Sequence, residues 1–350
     1  MKVFTPFESG DLRVKNRIVR SATAEAMAEE GFVTSELIEL YKKLAEGGTG
    51  MIVTGYMFVS DDGKAMPKMT GISRDEFVKG LKNLVEEVKK VDKEVFFVAQ
   101  IAHAGRQTLI SPPVAPSAVY DPSINVMPRE LTKEEIERII EDFKNAVLRA
   151  EKAGFDAVQL HCAHGYLLSE FLSPHTNRRK DEYGDGVKVV LEIIERAREK
   201  SKLPILVKMN AHDFIPGGLE LKDSIKIAKR LNDFVSAIEV SGGMYESNYH
   251  NRYNVVSQKV HKSGEAYFAK YAIEIKKEVS VPVIAVGGIR SIEVAEKLLE
   301  SVDLIAMSRP LIRDPYLPRH WNKSDCISCN RCLNAVAVGE KLRCYKNDNF

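Results

Sequence analysis

One tryptophan, four glutamines and a single cysteine ahead of residue 326 are the scarcities of this 350-residue chain. Long apolar runs are missing too. None approaches the roughly 18–20 residues of a membrane span, which argues against a helical anchor. Charge of one sign is not in excess: Lys+Arg 51 against Asp+Glu 49 leaves a net +2, so nothing pulls the chain toward nucleic acid or a membrane surface. The opening MKVFTPFESG has no apolar core of a secretion signal, and a cytoplasmic address is expected. Cysteine is too sparse over most of the length for a disulfide framework. Four of the five cysteines (Cys326, Cys329, Cys332, Cys344) crowd into the end of the sequence. In a reducing compartment such crowding points to metal or redox work.

What remains is 44% hydrophobic and 29% charged, the balance of a soluble protein with a sizeable core. Short β-rich runs recur between amphipathic helical stretches: NRIVRSA, GMIVTGYMFV, VFFVAQIAH, AVQLHCA, PILVKMN, AIEVSGG, PVIAVGGI and LIAMSRP. One helix is punctuated clearly, with Thr132 and Glu135 as a capping box and Gly154 as its stop. Eight mostly buried strands alternating with helices predict a parallel sheet closed as a (β/α)8 barrel. The earlier VFTPFESGDLRVKN reads as a hairpin plugging the barrel floor. The expected organisation is a barrel over 1–320 and a Cys-rich tail over 321–350.

Chemistry in such barrels lies at the C-terminal strand ends. There the sequence places Thr23, Gly55, Gln100, His103, His161, His164, Lys208, Asn210, Gly287, Gly288, Ser308 and Arg309. Along VQLHCAH, Gln159 and His161 alternate with Val158, Leu160 and Cys162, which sets His161 on the face opposite the apolar residues. The block HCAHGY leaves three readings open. His161 and His164 with His212 and Asp213 supply enough ligands for zinc on a barrel hydrolase. Cys162 is a candidate nucleophile, although its alternation groups it with buried apolar neighbours. The third reading makes the histidines and Tyr166 hydrogen-bond donors to a substrate. After the last two strands, the backbone at Gly287, Gly288, Ser308 and Arg309, a helix start near Ser291 and the Arg309 guanidinium predict a phosphate site. A non-catalytic phosphosugar-binding barrel would share those turns but would not need Tyr166.

NRIVRSATAE, QIAHAGRQ, HCAHGYLLSEFLSPHTNRRKDEYG, VGGI and MSRP, in that order over nearly residues 1–320, resemble the Old Yellow Enzyme family of flavin oxidoreductases. The Cys-rich end resembles the branch containing 2,4-dienoyl-CoA reductase and trimethylamine dehydrogenase. The resemblance implies FMN across the barrel mouth, with its phosphate at Gly287, Gly288, Ser308 and Arg309. It also implies Lys208 beside the N1–C2 carbonyl edge, Gln100 at the pyrimidine edge, Ala22 and Gly55 admitting the ring, and Thr23 near its reactive end. His161 and His164 would polarise a substrate carbonyl and Tyr166 would deliver a proton, with NADH or NADPH as electron donor and an activated C=C bond as substrate. An amine dehydrogenase feeding electrons to the tail is the alternative activity.

Cys326, Cys329 and Cys332 are spaced C-x2-C-x2-C, with Cys344 further on. Thiolates at that density suit a four-iron four-sulfur cluster, with tetrahedral zinc as the alternative. The spacing departs from that branch, whose second gap is one residue longer. Ala24 stands where some relatives carry a redox-tuning cysteine, so that control is not expected. No nucleotide-binding domain fits after Cys344, so either a nicotinamide reduces FMN directly or a redox partner protein works through the tail. The segment from Met244 to Gly264 is expected to roof the pocket. The oligomeric state is not set by the sequence, and a homo-oligomer is compatible with it.

Overall fold

The computed structural model describes residues 1–108, 110–247 and 264–346. Eight parallel strands form its centre: β1 (Ile18–Arg20), β2 (Met51–Val53), β3 (Phe96–Ala102), β4 (Ala157–Cys162), β5 (Ile205–Asn210), β6 (Ala237–Ser241), β7 (Val283–Val286) and β8 (Leu304–Met307). Each pairs with the next, β2 with β3 included, and β8 returns to β1, so the sheet closes as the expected (β/α)8 barrel. Closure leaves no unpaired edge. A helix follows each of the first seven strands, and these helices cover the outside with residues such as Leu81, Ile140, Val190 and Ile275.

Alternation along the strands decides what fills the barrel. Val19, Met51, Val53, Phe96, Val98, Ala157, Leu206, Ala237, Ile284, Leu304 and Ala306 form one apolar cluster inside it. Leu12 and Val14 join that cluster from the antiparallel hairpin Phe7–Ser9 and Leu12–Val14, which closes the floor as expected. One step of two residues further along the same faces, the side chains become Gln100, Gln159, Lys208 and Glu239, all buried. Val158, Leu160 and Cys162 belong to the outer core instead, so His161 faces inward as the alternation predicts.

The second apolar run, read as one strand, is two pieces. β2 ends at Val53, and Met57–Phe58 pairs separately with the end of β3. The break falls where the Gly55 N–H turns to the buried Glu25 carboxylate at 2.6 Å and the Tyr41 hydroxyl at 2.9 Å. Among the described residues no helix is long and apolar enough to cross a membrane.

The tail packs on the barrel mouth. Cys332, Val336 and Leu342 make a small apolar cluster with Ala26, bordered by Met27, Met66 and Ile312. Trp321 Nε1 donates to the Arg290 carbonyl at 2.8 Å, and the Leu342 N–H to the Glu25 carbonyl at 2.8 Å.

The helix Lys133–Ala153 carries the anticipated capping box, and Gly154 closes it at φ 89°. Thr132→Ala removes the hydroxyl that accepts from Glu135 N–H. We expect a loss of about 1 kcal/mol, measured as a lowered denaturant midpoint with an unchanged m-value.

Candidate active site

A cavity of about 390 Å³ opens at the C-terminal ends of the strands, within the roughly 300–1,000 Å³ of small-molecule and cofactor sites. Its wall brings together Ala22, Thr23, Gln100, His161, His164, Tyr166, Lys208, Gly287, Gly288, Ser308 and Arg309. Of the strand-end and phosphate-site residues singled out in the sequence, His103, Asn210 and Ser291 are not on that wall, and neither is Gly55. Glycine is required there because a Cβ would come within 2.1 Å of the Glu25 carboxylate.

The donors His161, His164 and Tyr166 sit together. His161 lies 4.8 Å from Tyr166 and 5.1 Å from His164, ring centre to ring centre. His164 has φ 66°, and its N–H donates to Asn210 Oδ1 at 3.2 Å. Its Nε2 lies 2.7 Å from the Ser241 hydroxyl. His161 Nδ1, by contrast, is buried without a partner among the described residues, and buried polar atoms normally have one. Burial first, and the nearby Lys208 cation second, hold His161 well below the ordinary 6.5. Burial, His161 and Lys208 do the same to His164. Both rings are therefore neutral, each with one N–H to offer. Tyr166 donates to the Tyr56 hydroxyl at 2.9 Å. Burial, Tyr56 and Tyr245 push its phenol well above 10, which keeps the proton on it.

At the floor, Lys208 Nζ donates to Ser21 Oγ at 2.8 Å and lies 3.0 Å from Glu239 Oε1. Glu239 also accepts from Ser21 Oγ at 2.6 Å and from Gln159 Nε2 at 2.9 Å. Gln100 Nε2 donates in turn to Gln159 Oε1 at 2.7 Å. At the other end, Thr23 Oγ1 and Ser308 Oγ are 2.5 Å apart, tying the ends of β1 and β8 together. Gly287 (φ 119°) and Gly288 (φ 77°) hold conformations that L side chains rarely adopt. A Cβ on Gly288 would meet the Tyr267 ring at 2.6 Å. Arg309 bonds Tyr267 OH at 3.2 Å and the Asn330 side chain. The helix start near Ser291 is otherwise engaged, because Glu265 Oε2 accepts from Arg290 N–H and Ser291 N–H, each at 2.9 Å. The predicted help from that terminus is thus taken by a carboxylate of the chain itself.

Two rival readings lose their footing here. Asp213 accepts from Ser173, Asn210 and the Leu219 N–H, and His212 Nδ1 accepts from the Phe214 N–H while its ring stacks on Phe214. They make no metal site with His161 and His164, and among the described residues no group of three or more His, Cys, Asp or Glu is arranged to hold a metal ion. Cys162 is buried, and burial alone raises its thiol far above the ordinary range. Tyr56, Gln159, Glu239 and Tyr267 were not singled out from the sequence as site residues. Tyr56 had a signal, since it directly follows Gly55 at a strand end, and Glu239 shares the inward alternation that flagged His161. Of the expected roof, Tyr245 lines the cavity, whereas Tyr249 and Tyr253 lie outside the described residues.

A second, smaller cavity is lined by Cys326, Cys329, Cys332 and Cys344, together with Arg309, Asn330 and Tyr345. Burial, then the Cys326 charge, raises Cys332 to about 11. Ser328 (φ 54°) and Asn330 (φ 65°) give the loop the left-handed turns that wrap it around this cavity.

The closed parallel barrel thus presents neutral donors, a paired lysine and a glycine-lined end on one cavity. Residues 2–325 match the model of the NADH:flavin oxidoreductase / NADH oxidase family, and the chain belongs to that family. An NADH oxidase from Thermoanaerobacter brockii is 37% identical over 99% of this chain and 56% of its own length. An NADPH dehydrogenase from Listeria monocytogenes is 36% identical over 91% of this chain and 93% of its own. The solved structure of a 2-naphthoyl-CoA reductase with 2-naphthoyl-CoA superposes with a TM-score of 0.91 at 25% identity, covering 99% of this chain and 57% of that one. The chain thus spans little more than half the length of the relatives that match it from end to end. The resemblance read from the motifs is that of the family itself.

Neutral buried imidazoles carry a sign for pH. Below 6.5 the unfolded chain takes up protons that His161 and His164 in the folded chain refuse, so stability falls as pH drops through that value. We expect ring ¹⁵N NMR at pH 6.5 to find both imidazoles uncharged, where a free histidine is half protonated.

Proposed function

We propose that this chain is an FMN-dependent oxidoreductase that reduces activated C=C bonds of enals, enones or enoates with electrons from NADH or NADPH. Family membership supports the cofactor and the donor. The observation carrying the reaction type is the grouping of His161, His164 and Tyr166 on one cavity wall, all three neutral. The cavity also meets what FMN requires: an apolar approach at Ala22, a cation at Lys208, an amide at Gln100, and glycine backbone with Ser308 and Arg309 at one end. When bound, FMN supplies the hydride chemistry. His161 and His164, the latter held by Ser241 and Asn210, donate to the substrate oxygen and stabilise charge as it develops there. Tyr166 holds the proton for the neighbouring carbon. Its hydroxyl, which donates to Tyr56 here, turns to the substrate to deliver that proton, and Tyr56 can then donate back to the oxygen left behind.

For the tail we propose a four-iron four-sulfur cluster. Its four cysteines line one cavity, and thiolates at that density are the ligands such clusters use. Tetrahedral zinc is the alternative for the same four thiolates. The cluster would exchange electrons with the barrel and with a redox partner protein.

Two experiments test these readings. Tyr166→Phe is expected to slow enone reduction by about 10²–10⁴-fold while flavin reduction by NAD(P)H is unaltered. Equal turnover in both half-reactions would remove the proton-donor role. Anaerobically purified protein is expected to release FMN on denaturation and to carry iron, sulfide and a bleachable visible shoulder. Protein that neither carries nor takes up FMN would sink the flavoenzyme reading, and flavin without iron would sink the cluster alone.

A further inference from the structure

Lys208 does not meet the cavity as a lone cation. Behind it, on the neighbouring strand, Glu239 is completely buried, and their backbones are in register across β5 and β6. The carboxylate is surrounded by donors: Lys208 Nζ at 3.0 Å, Ser21 Oγ at 2.6 Å and Gln159 Nε2 at 2.9 Å. Lys208 itself donates to Ser21 Oγ, so the serine proton is directed at Glu239. Nothing in this set needs a proton from the carboxyl, and the ionised form is the one that fits. The cavity floor therefore holds a positive charge at its surface and a negative charge one layer down, with a net charge near zero.

We infer that Glu239 is a positioning residue that sets the reduction potential of the bound flavin, by restraining Lys208 and by cancelling part of its field. The inference rests on the FMN reading above. Reduction adds negative charge to the flavin, and Lys208 favours that change while Glu239 opposes it. The opposition is strong because both charges lie in a water-poor interior where screening is weak. The geometry separates a direct from an indirect role: Lys208, Ser21 and Gln100 line the cavity, whereas Glu239 and Gln159 stand behind them. Glu239 thus acts on a cofactor that it does not touch.

The test is the midpoint potential of the FMN-loaded protein, measured by spectroelectrochemistry in wild type, Glu239→Gln and Gln159→Leu. Glu239→Gln keeps shape and hydrogen-bonding capacity but deletes the negative charge. The equilibrium constant for two-electron reduction is expected to rise at least about tenfold, an upward shift of about 30 mV or more. Gln159→Leu removes a hydrogen bond to Glu239 without removing charge, and a much smaller shift is expected. A merely structural role for Glu239 would lower thermal stability in both variants and leave the potential in place, which would overturn the inference. Should Glu239→Gln not fold, the pair Lys208→Gln and Lys208→Gln/Glu239→Gln replaces it. The double variant must then lie above the single one in potential, and equality overturns the inference. Wild-type protein that binds no FMN overturns the flavin reading and this inference together. Bound FMN with an unmoved potential overturns only the role of Glu239.

Discussion

The ion pair between Lys208 and Glu239 is the constraint around which the upper half of the barrel is arranged. A closed eight-stranded sheet has no room for bulk water, so any polar side chain inside must be satisfied by other side chains. The lower layer avoids the problem with valine, alanine and leucine, sealed by Leu12 and Val14. The upper layer solves it with a continuous series in which Gln100 donates to Gln159, Gln159 to Glu239, and Lys208 to Ser21 and Glu239. Removing one charge strands the other, and an uncompensated buried charge is far more costly than the pair. The residues that make the interior stable are thus those that shape the cavity floor. Conservative change there cannot be free of functional effect.

The same dependence explains why the histidines are neutral. Lys208 stands near His161 and His164 and adds to the burial that disfavours their charged forms. Neutral imidazoles can donate without repelling the Lys208 ammonium, and Tyr166 keeps its proton because burial, with the phenols Tyr56 and Tyr245 beside it, disfavours its ionised form. A charged histidine would be a stronger donor, but it would add a second cation to a buried site. The arrangement favours a donor set that is weaker per bond and costs less to bury.

How much of this was legible in the sequence follows from range. The eight strands, the plug and the cap at Thr132 are local patterns, and the barrel follows from counting them. Alternation within six residues was enough to turn His161 inward. What failed were features made by residues far apart in the chain. The second run reads as a single strand until Glu25, 30 positions before Gly55, takes the Gly55 N–H and bends the backbone. Ser291 looks like an open helix terminus until Glu265, 26 positions earlier, occupies it. Glu239 was legible in principle, since it lies on the inward face of β6 between Ala237 and Ser241. A lone carboxylate amid apolar residues reads as strand interior unless its partner is sought on the neighbouring strand.

Barrel and tail are not independent modules. Ser328, Leu333, Asn334, Val336 and Ala337 of the tail form part of the wall of the large cavity. Arg309 lines both cavities, and Asn330, between Cys329 and Cys332, bonds its guanidinium. The helix Arg331–Ala337 is only seven residues long, too short to hold its place by helix formation alone. Its position depends on the apolar contacts of Cys332, Val336 and Leu342 with Ala26. A barrel cut at residue 320 would expose Ala26 and Met66, open one side of the cavity and leave Arg309 without its Asn330 partner. The wall that closes over one end of the cavity is therefore built from the cysteine-bearing segment that follows the last strand, so the shape of the barrel site depends on how that segment packs.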